Sequence, residues 1–256
     1  KIILASSRSV YGEGKYKCSE HGLFYPNERN LIDLNNREYN FSCDKCKKEL
    51  IPLATDENSN INPSSIYAIT KYSQEQMLRL IGKTLNIDTV VLRYQNVYGP
   101  GQSLSNPYTG ILSIFSTRIL NGNNIDIYED GLESRDFIYI DDVVEATVTV
   151  LKSEKSKNQI FNIGSGEAVS IISLAKQLKE LYMSNIDINI TNKFRLGDIR
   201  HNYADISKIN STLNFSNKHL FEDGLKKFIE WVKSQKLSRD NYLDSYNELE
   251  KKGLIR

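Results

Sequence analysis

The sequence predicts an α/β fold with a mainly parallel sheet, and three observations carry that prediction. Two short aliphatic runs, Lys1-Ile2-Ile3-Leu4-Ala5 and Thr89-Val90-Val91-Leu92-Arg93-Tyr94, have the continuous apolar character of buried strands. Between them, Ser64 to Gly82 sets Ile66, Ile69, Met77, Leu80 and Ile81 at spacings that read as helix. Strand and helix signals then keep alternating. Asn96 to Gly101 reads as a Gly/Pro loop, Gly110 to Leu120 as helix, and Asp126 to Tyr128 and Asp136 to Ile140 as short strands. Asp141 to Leu151 reads as helix, Gln159 to Ile163 as strand, and Ser170 as the N-cap of a helix through Leu181. Helices around Glu222 to Lys233 and Asp240 to Lys251 complete the chain, which shows no repeat or low-complexity linker. The polar stretch from Gly14 to Thr55 has weak periodicity and reads as an insert.

A chain of 256 residues has room for one large domain or two small ones with a real core. Lys and Arg number 33 against 32 Asp and Glu, a net charge of +1, which argues against a general nucleic-acid or membrane-surface binder. No apolar run approaches a membrane span, and no signal peptide is visible. Three cysteines are too few, and odd in number, for a disulfide framework, so a reducing cytoplasm is the expected location.

Those cysteines nonetheless form a pattern. Cys18-x-x-His21 and Cys43-x-x-Cys46 each have the two-residue gap that lets two side chains grip one ion from a tight turn. Together they make a Cys₃His set, the donors of a closed, structural zinc site, and they use every cysteine in the chain. The alternative is three unrelated cysteines and a surface histidine.

Tyr67 and Lys71, four residues apart, share one helix face. A lone Y-x-x-x-K arises by chance in many helices. Here it sits among Ser6-Ser7-Arg8-Ser9-Val10-Tyr11-Gly12, Leu92-Arg93-Tyr94-Gln95-Asn96-Val97-Tyr98-Gly99-Pro100 and a run from Glu129 to Val143 that contains Arg135-Asp136-Phe137. Arg195-Leu196-Gly197-Asp198-Ile199-Arg200-His201 follows, with Ala204-Asp205 behind it. In this order the stretches resemble the extended short-chain dehydrogenase/reductase superfamily, and more narrowly its nucleotide-sugar epimerases and dehydratases, over nearly the whole chain. The resemblance implies an NAD-dependent enzyme on a Rossmann-type parallel sheet with a small sugar-nucleotide lobe. It makes Ser7, Tyr67 and Lys71 catalytic and puts Tyr67, Lys71, Tyr94 and Val97 at the cofactor. Ser9, Asn96, Arg135 and Arg195 become substrate contacts, the two arginines at the diphosphate, with a surface salt bridge as the alternative for either. It also puts Tyr108 and Thr109 near the nucleoside and implies a homodimer paired through the helix of Tyr67. By this likeness residues 1–13 and 56–97 are the back half of the Rossmann domain, 14–55 the zinc-clip insert, and 98–256 mainly the sugar-nucleotide lobe, with 136–163 returning to the sheet.

The chemistry suits those roles. A hydride leaves a secondary alcohol carbon only if the hydroxyl proton is taken, and a free tyrosine, titrating near ~10, is a poor base at neutral pH. A lysine ammonium one turn away and a positive nicotinamide ring favour the phenolate of such a tyrosine. The planar guanidinium fork matches diphosphate oxygens. Dehydratases and decarboxylases of the family carry an acid just after the catalytic Ser/Thr; here those positions hold Arg8 and Ser9, which disfavours elimination and leaves oxidation and re-reduction, as in a 4-epimerase. The insert, with Cys18-x-x-His21-Gly22, Tyr25-Pro26, Arg29, Leu31 and Cys43-x-x-Cys46, and the stretch from Gly101 to Gly110 resemble a branch that includes dTDP-L-rhamnose 4-epimerases. Epimerisation of UDP-glucose or its N-acetyl relative, an NAD(P)-dependent sugar reductase or dehydrogenase, and a non-catalytic zinc-clipped module stay open as alternatives.

One family feature is missing. The G-x-x-G-x-x-G turn that meets the cofactor pyrophosphate occurs nowhere in the chain, and Gly12-Glu13-Gly14 and Gly164-Ser165-Gly166 are only turn-like pairs. The sequence therefore reads as the C-terminal part of an epimerase, with the cofactor half upstream of Lys1, and it is expected to bind NAD poorly and turn over little without that half.

Overall fold

The computed structural model describes residues 1–106, 110–236 and 239–256. The opening apolar run forms β1 (Ile2–Ser7), followed by one turn of 3₁₀ helix at Arg8–Tyr11. Gly12 closes that turn with φ +61°, and a side chain there would run into the backbone oxygen of Asn62, so the position requires glycine twice over. The insert then folds as a three-stranded antiparallel sheet of β2 (Lys15–Cys18), β3 (Gly22–Phe24) and β4 (Ile51–Leu53), in the order β3-β2-β4. A short helix α1 (Leu31–Asn35) stands between β3 and β4, capped by Asn30, whose side chain accepts from Asp33 N. Strands of three and four residues are too short for alternation to be read, which is why the segment looked featureless as sequence.

Helix α2 (Ile66–Leu85) carries Tyr67 and Lys71; Ser65 Oγ caps its start by accepting from Ala68 N at 3.1 Å. It runs three residues past the expected end at Gly82. The true stop is Asn86 in the left-handed conformation, and Gly82 lies where the helix passes too close to Thr89 and Ile87 to carry a side chain. Strand β5 (Thr89–Tyr94) pairs in parallel with β1, from Ile2 opposite Thr89 to Ser7 opposite Tyr94. β6 (Asn96–Tyr98) is a correction to the expected loop: these residues pair in parallel with a later strand. After helix α3 (Ile111–Leu120) come β7 (Ile125–Ile127), β8 (Ser134–Arg135), β9 (Phe137–Tyr139), which is the partner of β6, and helix α4 (Ile140–Lys152).

Strand β10 (Ile160–Ile163) joins the other edge of β5, giving a parallel sheet ordered β1-β5-β10. β11 (Val169–Ser170) leads into helix α5 (Ile171–Leu181), capped by Ser170 as the sequence predicts. β12 (Ile188–Ile190) pairs with β7, and β13 (His201–Asn202) with β8. Helices α6 (Ser207–Leu213), α7 (Phe221–Ser234) and α8 (Tyr242–Lys251) follow. One core, around Val90, Leu92, Val143, Val150, Phe161 and Ile163, packs α4 and α6 on the parallel sheet. A second, around Leu112, Phe115, Ile127, Leu174 and Phe228, joins α3, α5 and α7. Strands alternating with helices thus bury their aliphatic faces as an α/β fold requires.

Candidate active site

β1 and β5 end together, and the carboxyl ends of parallel strands are where such sheets bind ligands. Ser7 is the last residue of β1; its Oγ accepts from Ser9 N at 3.2 Å, which leaves its own hydroxyl hydrogen to be donated elsewhere. Helix α2 packs against β1 and the turn behind it. Lys71 Nζ donates to the carbonyl of Ala5 at 3.0 Å, two residues before Ser7, and stands 5.8 Å from the centre of the Tyr67 ring. Tyr67 is 55 % exposed and not part of the core.

A buried network holds this arrangement. Glu75, one turn beyond Lys71, takes the Arg93 guanidinium in a fork, Nε at 3.1 Å and Nη2 at 2.8 Å, and accepts from Ser6 Oγ at 2.5 Å. Arg93 Nη1 also donates to Tyr11 OH at 2.9 Å, and Tyr11 OH donates to Asn162 Oδ1 at 2.7 Å. These contacts tie α2, β1, β5 and β10 together. The sequence reasoning missed Glu75; the spacing of Tyr67, Lys71 and Glu75, each four apart, was the available signal.

The other sequence-predicted residues fall into different surroundings. Ser9 Oγ is buried without a partner. Asn96 donates its backbone N–H to the carbonyl of Asp136, and its side chain is half-buried. Tyr94 OH shares a hydrogen with Thr147 Oγ1 at 3.0 Å, and Tyr94 and Val97 both pack against the core beneath α4. Arg135 donates to the carbonyls of Ser134, Ile199 and Arg200, at 2.7 to 3.1 Å. Arg195 is exposed beside Tyr128, Tyr242 and Tyr246, where it lines a cavity of about 100 Å³, so the two arginines are not brought into one pair. Tyr108 and Thr109 lie outside the described residues. Asp136, between Arg135 and Phe137, is fully buried and accepts from Ser165 N, Ser165 Oγ, Gly166 N and Ala204 N, which pins the Gly164-Ser165-Gly166 turn.

A wall of buried charge, also missed as sequence, runs from the turn after β1 into the insert. Glu13 accepts from Arg200 N at 2.7 Å and lies 3.7 Å from Arg29 Nε; burial pushes its carboxyl up to about 7 against the pull of Arg29. Arg29 bridges to Glu129 at 2.7 Å and donates to the carbonyl of Asp198. Arg200 meets Glu129 at 3.0 Å, Asp130 at 2.7 Å and Glu133 at 3.8 Å, so this acidic cluster is already neutralised by arginine. Burial, with Arg200 and Arg135 nearby, holds the His201 imidazole down to about 4.

Away from this wall, the donor atoms of Cys18, His21, Cys43 and Cys46 all lie within 4.8 Å of one another. Cys18 Sγ is 3.5 Å from Cys46 Sγ and 3.6 Å from His21 Nδ1, and Cys43 Sγ is 3.5 Å from the same nitrogen. Bond lengths of ~2.3 Å to sulfur and ~2.0–2.1 Å to nitrogen set tetrahedral S···S edges near ~3.8 Å and S···N edges near ~3.6 Å, so the donor set fits a zinc ion. The backbone N–H of Glu20 donates to Cys18 Sγ at 3.4 Å.

Known proteins resemble this chain over most of its length. The NAD dependent epimerase/dehydratase family matches residues 43–164. A dTDP-L-rhamnose 4-epimerase of Burkholderia thailandensis is 36 % identical over 240 residues, 94 % of this chain and 64 % of its own length. The crystal structure of a UDP-N-acetylglucosamine 4-epimerase from Methanobrevibacter ruminantium, in complex with UDP-N-acetylmuramic acid, superposes with a TM-score of 0.71 at 31 % identity, over 91 % of this chain and 63 % of that one. A UDP-glucuronic acid 4-epimerase from Bacillus cereus, in complex with UDP-glucuronic acid and NAD, gives 0.69 at 27 %, over 90 % and 60 %. This chain therefore spans less than two thirds of the length of these relatives.

Proposed function

Because the chain belongs to the NAD-dependent epimerase/dehydratase family, we propose that it serves in the 4-epimerisation of a nucleotide sugar, with dTDP-L-rhamnose and dTDP-6-deoxy-L-talose as the favoured pair. The observation that carries this reading is the packing of the helix of Tyr67 and Lys71 on β1, with Lys71 tied to Ala5, two residues before Ser7, and Tyr67 exposed beside it. NAD, when bound, supplies a hydride acceptor that later returns the hydride. Tyr67 and Lys71 fit the nicotinamide end of that cofactor; the glycine-rich turn for its pyrophosphate is not among these residues. Ser7 holds the oxygen on C4 of the sugar. Tyr67 takes the proton from that oxygen as the carbon is oxidised and gives it back after the keto ring has turned its other face. Lys71 keeps a positive charge one turn from the phenol. Arg8 and Ser9 offer no carboxylate for an elimination, which supports a redox-neutral epimerisation over a dehydration.

Proton NMR of the sugar ring tests this on the protein expressed from its complete reading frame, with dTDP-L-rhamnose and no added cofactor. A second sugar with a small H3–H4 coupling, absent with Tyr67→Phe, is the expected result. Conversion of UDP-hexoses alone would keep the mechanism and discard the substrate; conversion only with NAD(P)H consumed would replace the epimerase by a reductase.

We further infer that Cys18, His21, Cys43 and Cys46 hold a structural zinc, supported by the tetrahedral spacing of their donors. Elemental analysis of the purified protein should return one zinc per chain, lost in Cys43→Ser. The exposed apolar residues of α2, Ile66, Ile69, Met77, Leu80 and Leu85, support pairing with a second copy, which sedimentation would reveal as a dimer. Among the described residues no helix is long and apolar enough to cross a membrane.

A further inference from the structure

Arg8 takes no part in the machinery above, yet it stands directly behind Ser7 on the first residue of the 3₁₀ turn. Its side chain is half-buried and, among the described residues, meets no hydrogen-bond or ion-pair partner. The other arginines removed from solvent are all held: Arg29, Arg93, Arg118 and Arg200 by carboxylates, Arg135 by three carbonyls. An unpaired cation so placed is costly. Burial and the charge of Arg135 bring its guanidinium down to about 10, against the opposing pull of Asp198, Glu13 and Tyr67. The buried, unpartnered Ser9 Oγ stands on the same turn.

A half-buried guanidinium one residue from Ser7, with no carboxylate in contact among the described residues, calls for an anion, and the nucleotide sugar of the proposed function carries one next to its ring. We propose that Arg8 binds the sugar-proximal phosphate of the substrate and serves as the pivot about which the oxidised sugar turns. This inference rests on the nucleotide-sugar reading. A contact to a ring hydroxyl would break when the ring presents its other face, whereas a contact to the phosphate survives the turn. A guanidinium fork can hold two phosphate oxygens at once, which a hydroxyl donor such as Ser9 cannot.

Calorimetric titration with dTDP and with dTMP, which lacks the sugar-proximal phosphate, tests the assignment on the protein from its complete reading frame. In Arg8→Met, dTDP affinity should fall at least ~tenfold, as expected for one charge-assisted hydrogen bond, while dTMP affinity stays within ~twofold of wild type. Arg8→Lys, which keeps the charge without the fork, should recover part of the dTDP affinity. Equal losses for both nucleotides would make Arg8 a structural residue and overturn the proposal, as would an unchanged dTDP affinity. A wild-type protein that binds neither nucleotide would instead remove the nucleotide-sugar reading itself.

Discussion

In the parallel sheet, β5 is buried along five of its six residues, and Val90, Leu92 and Phe161 lose all contact with solvent. In the insert one small cluster buries Tyr16, Cys18, Cys43 and Leu50, with Phe24, Phe41 and Cys46 partly covered, and a second buries Leu34 and Tyr39 against Phe194. The sheet is stabilised mainly by aliphatic burial, at ~25 cal/mol per Å² of apolar surface. The insert has one edge-to-face ring pair, Tyr16 on Phe41 at 5.3 Å, and two of its most buried side chains are thiols. Burial suffices where strands are long and stacked under helices; a small antiparallel lobe needs a point fastening, here of a kind a metal ion supplies. The insert meets the rest of the chain through Arg29, buried against Glu129 and Glu13, and through the exposed Asn40, which accepts from Arg200 Nε.

The largest effect should come from taking the fastening away. Apparent binding free energies of structural zinc reach ~10–16 kcal/mol, so Cys43→Ser should leave residues 14–55 open to limited proteolysis while the sheet stays protected. An insert that resists protease without its thiol would mean that ring packing alone holds it, and the contrast would collapse. Next in size is the ion pair inside the sheet region. Glu75→Gln should cost ~3–5 kcal/mol in denaturant unfolding by leaving Arg93 buried and unpaired, and Glu75→Leu with Arg93→Met should recover much of that. A single variant as stable as wild type would show that aliphatic packing fixes α2 without the pair.

Arg29→Met tests the joint between the regions. A loss of ~1.5–3 kcal/mol is expected, with the zinc proposed for Cys18, His21, Cys43 and Cys46 retained; its simultaneous loss would make clip and joint one unit. The last effect is a slope. Glu13 titrates at about 7 when folded against 4.5 ordinarily, so the folded state binds its proton more tightly and stability falls as pH rises from 4.5 to 7. Glu13→Gln should remove that component: the difference in unfolding free energy between wild type and variant should decline across this window and be flat outside it.

The strand at 89–94, the Ser170 cap and the helix carrying Tyr67 and Lys71 were legible because each rests on neighbouring residues: a run of apolar side chains, a hydroxyl before a helical period, a four-residue spacing. The cluster of Cys18, His21, Cys43 and Cys46 was legible for the same reason, as two gaps of two residues. β6 was not, since Asn96 to Tyr98 becomes a strand only because β9 lies alongside it. The environment of Arg135 was not either; nothing in its sequence neighbourhood announces that Nη1 and Nη2 donate to the carbonyls of Ser134, Ile199 and Arg200.

By itself, then, the sequence determined the α/β class, the positions of its principal helices and strands and the residue types able to do chemistry, because periodicity, capping and motif spacing act over one or two turns of chain. Only the tertiary structure decided that Glu75 anchors the helix of Tyr67, that Arg29 joins the insert to Glu129 a hundred residues away, and that Arg8 alone among the arginines removed from solvent and described here is left without a partner. Those outcomes depend on which distant backbones the folded topology brings within ~3 Å, where a buried charge must find its counterpart or stay unpaired.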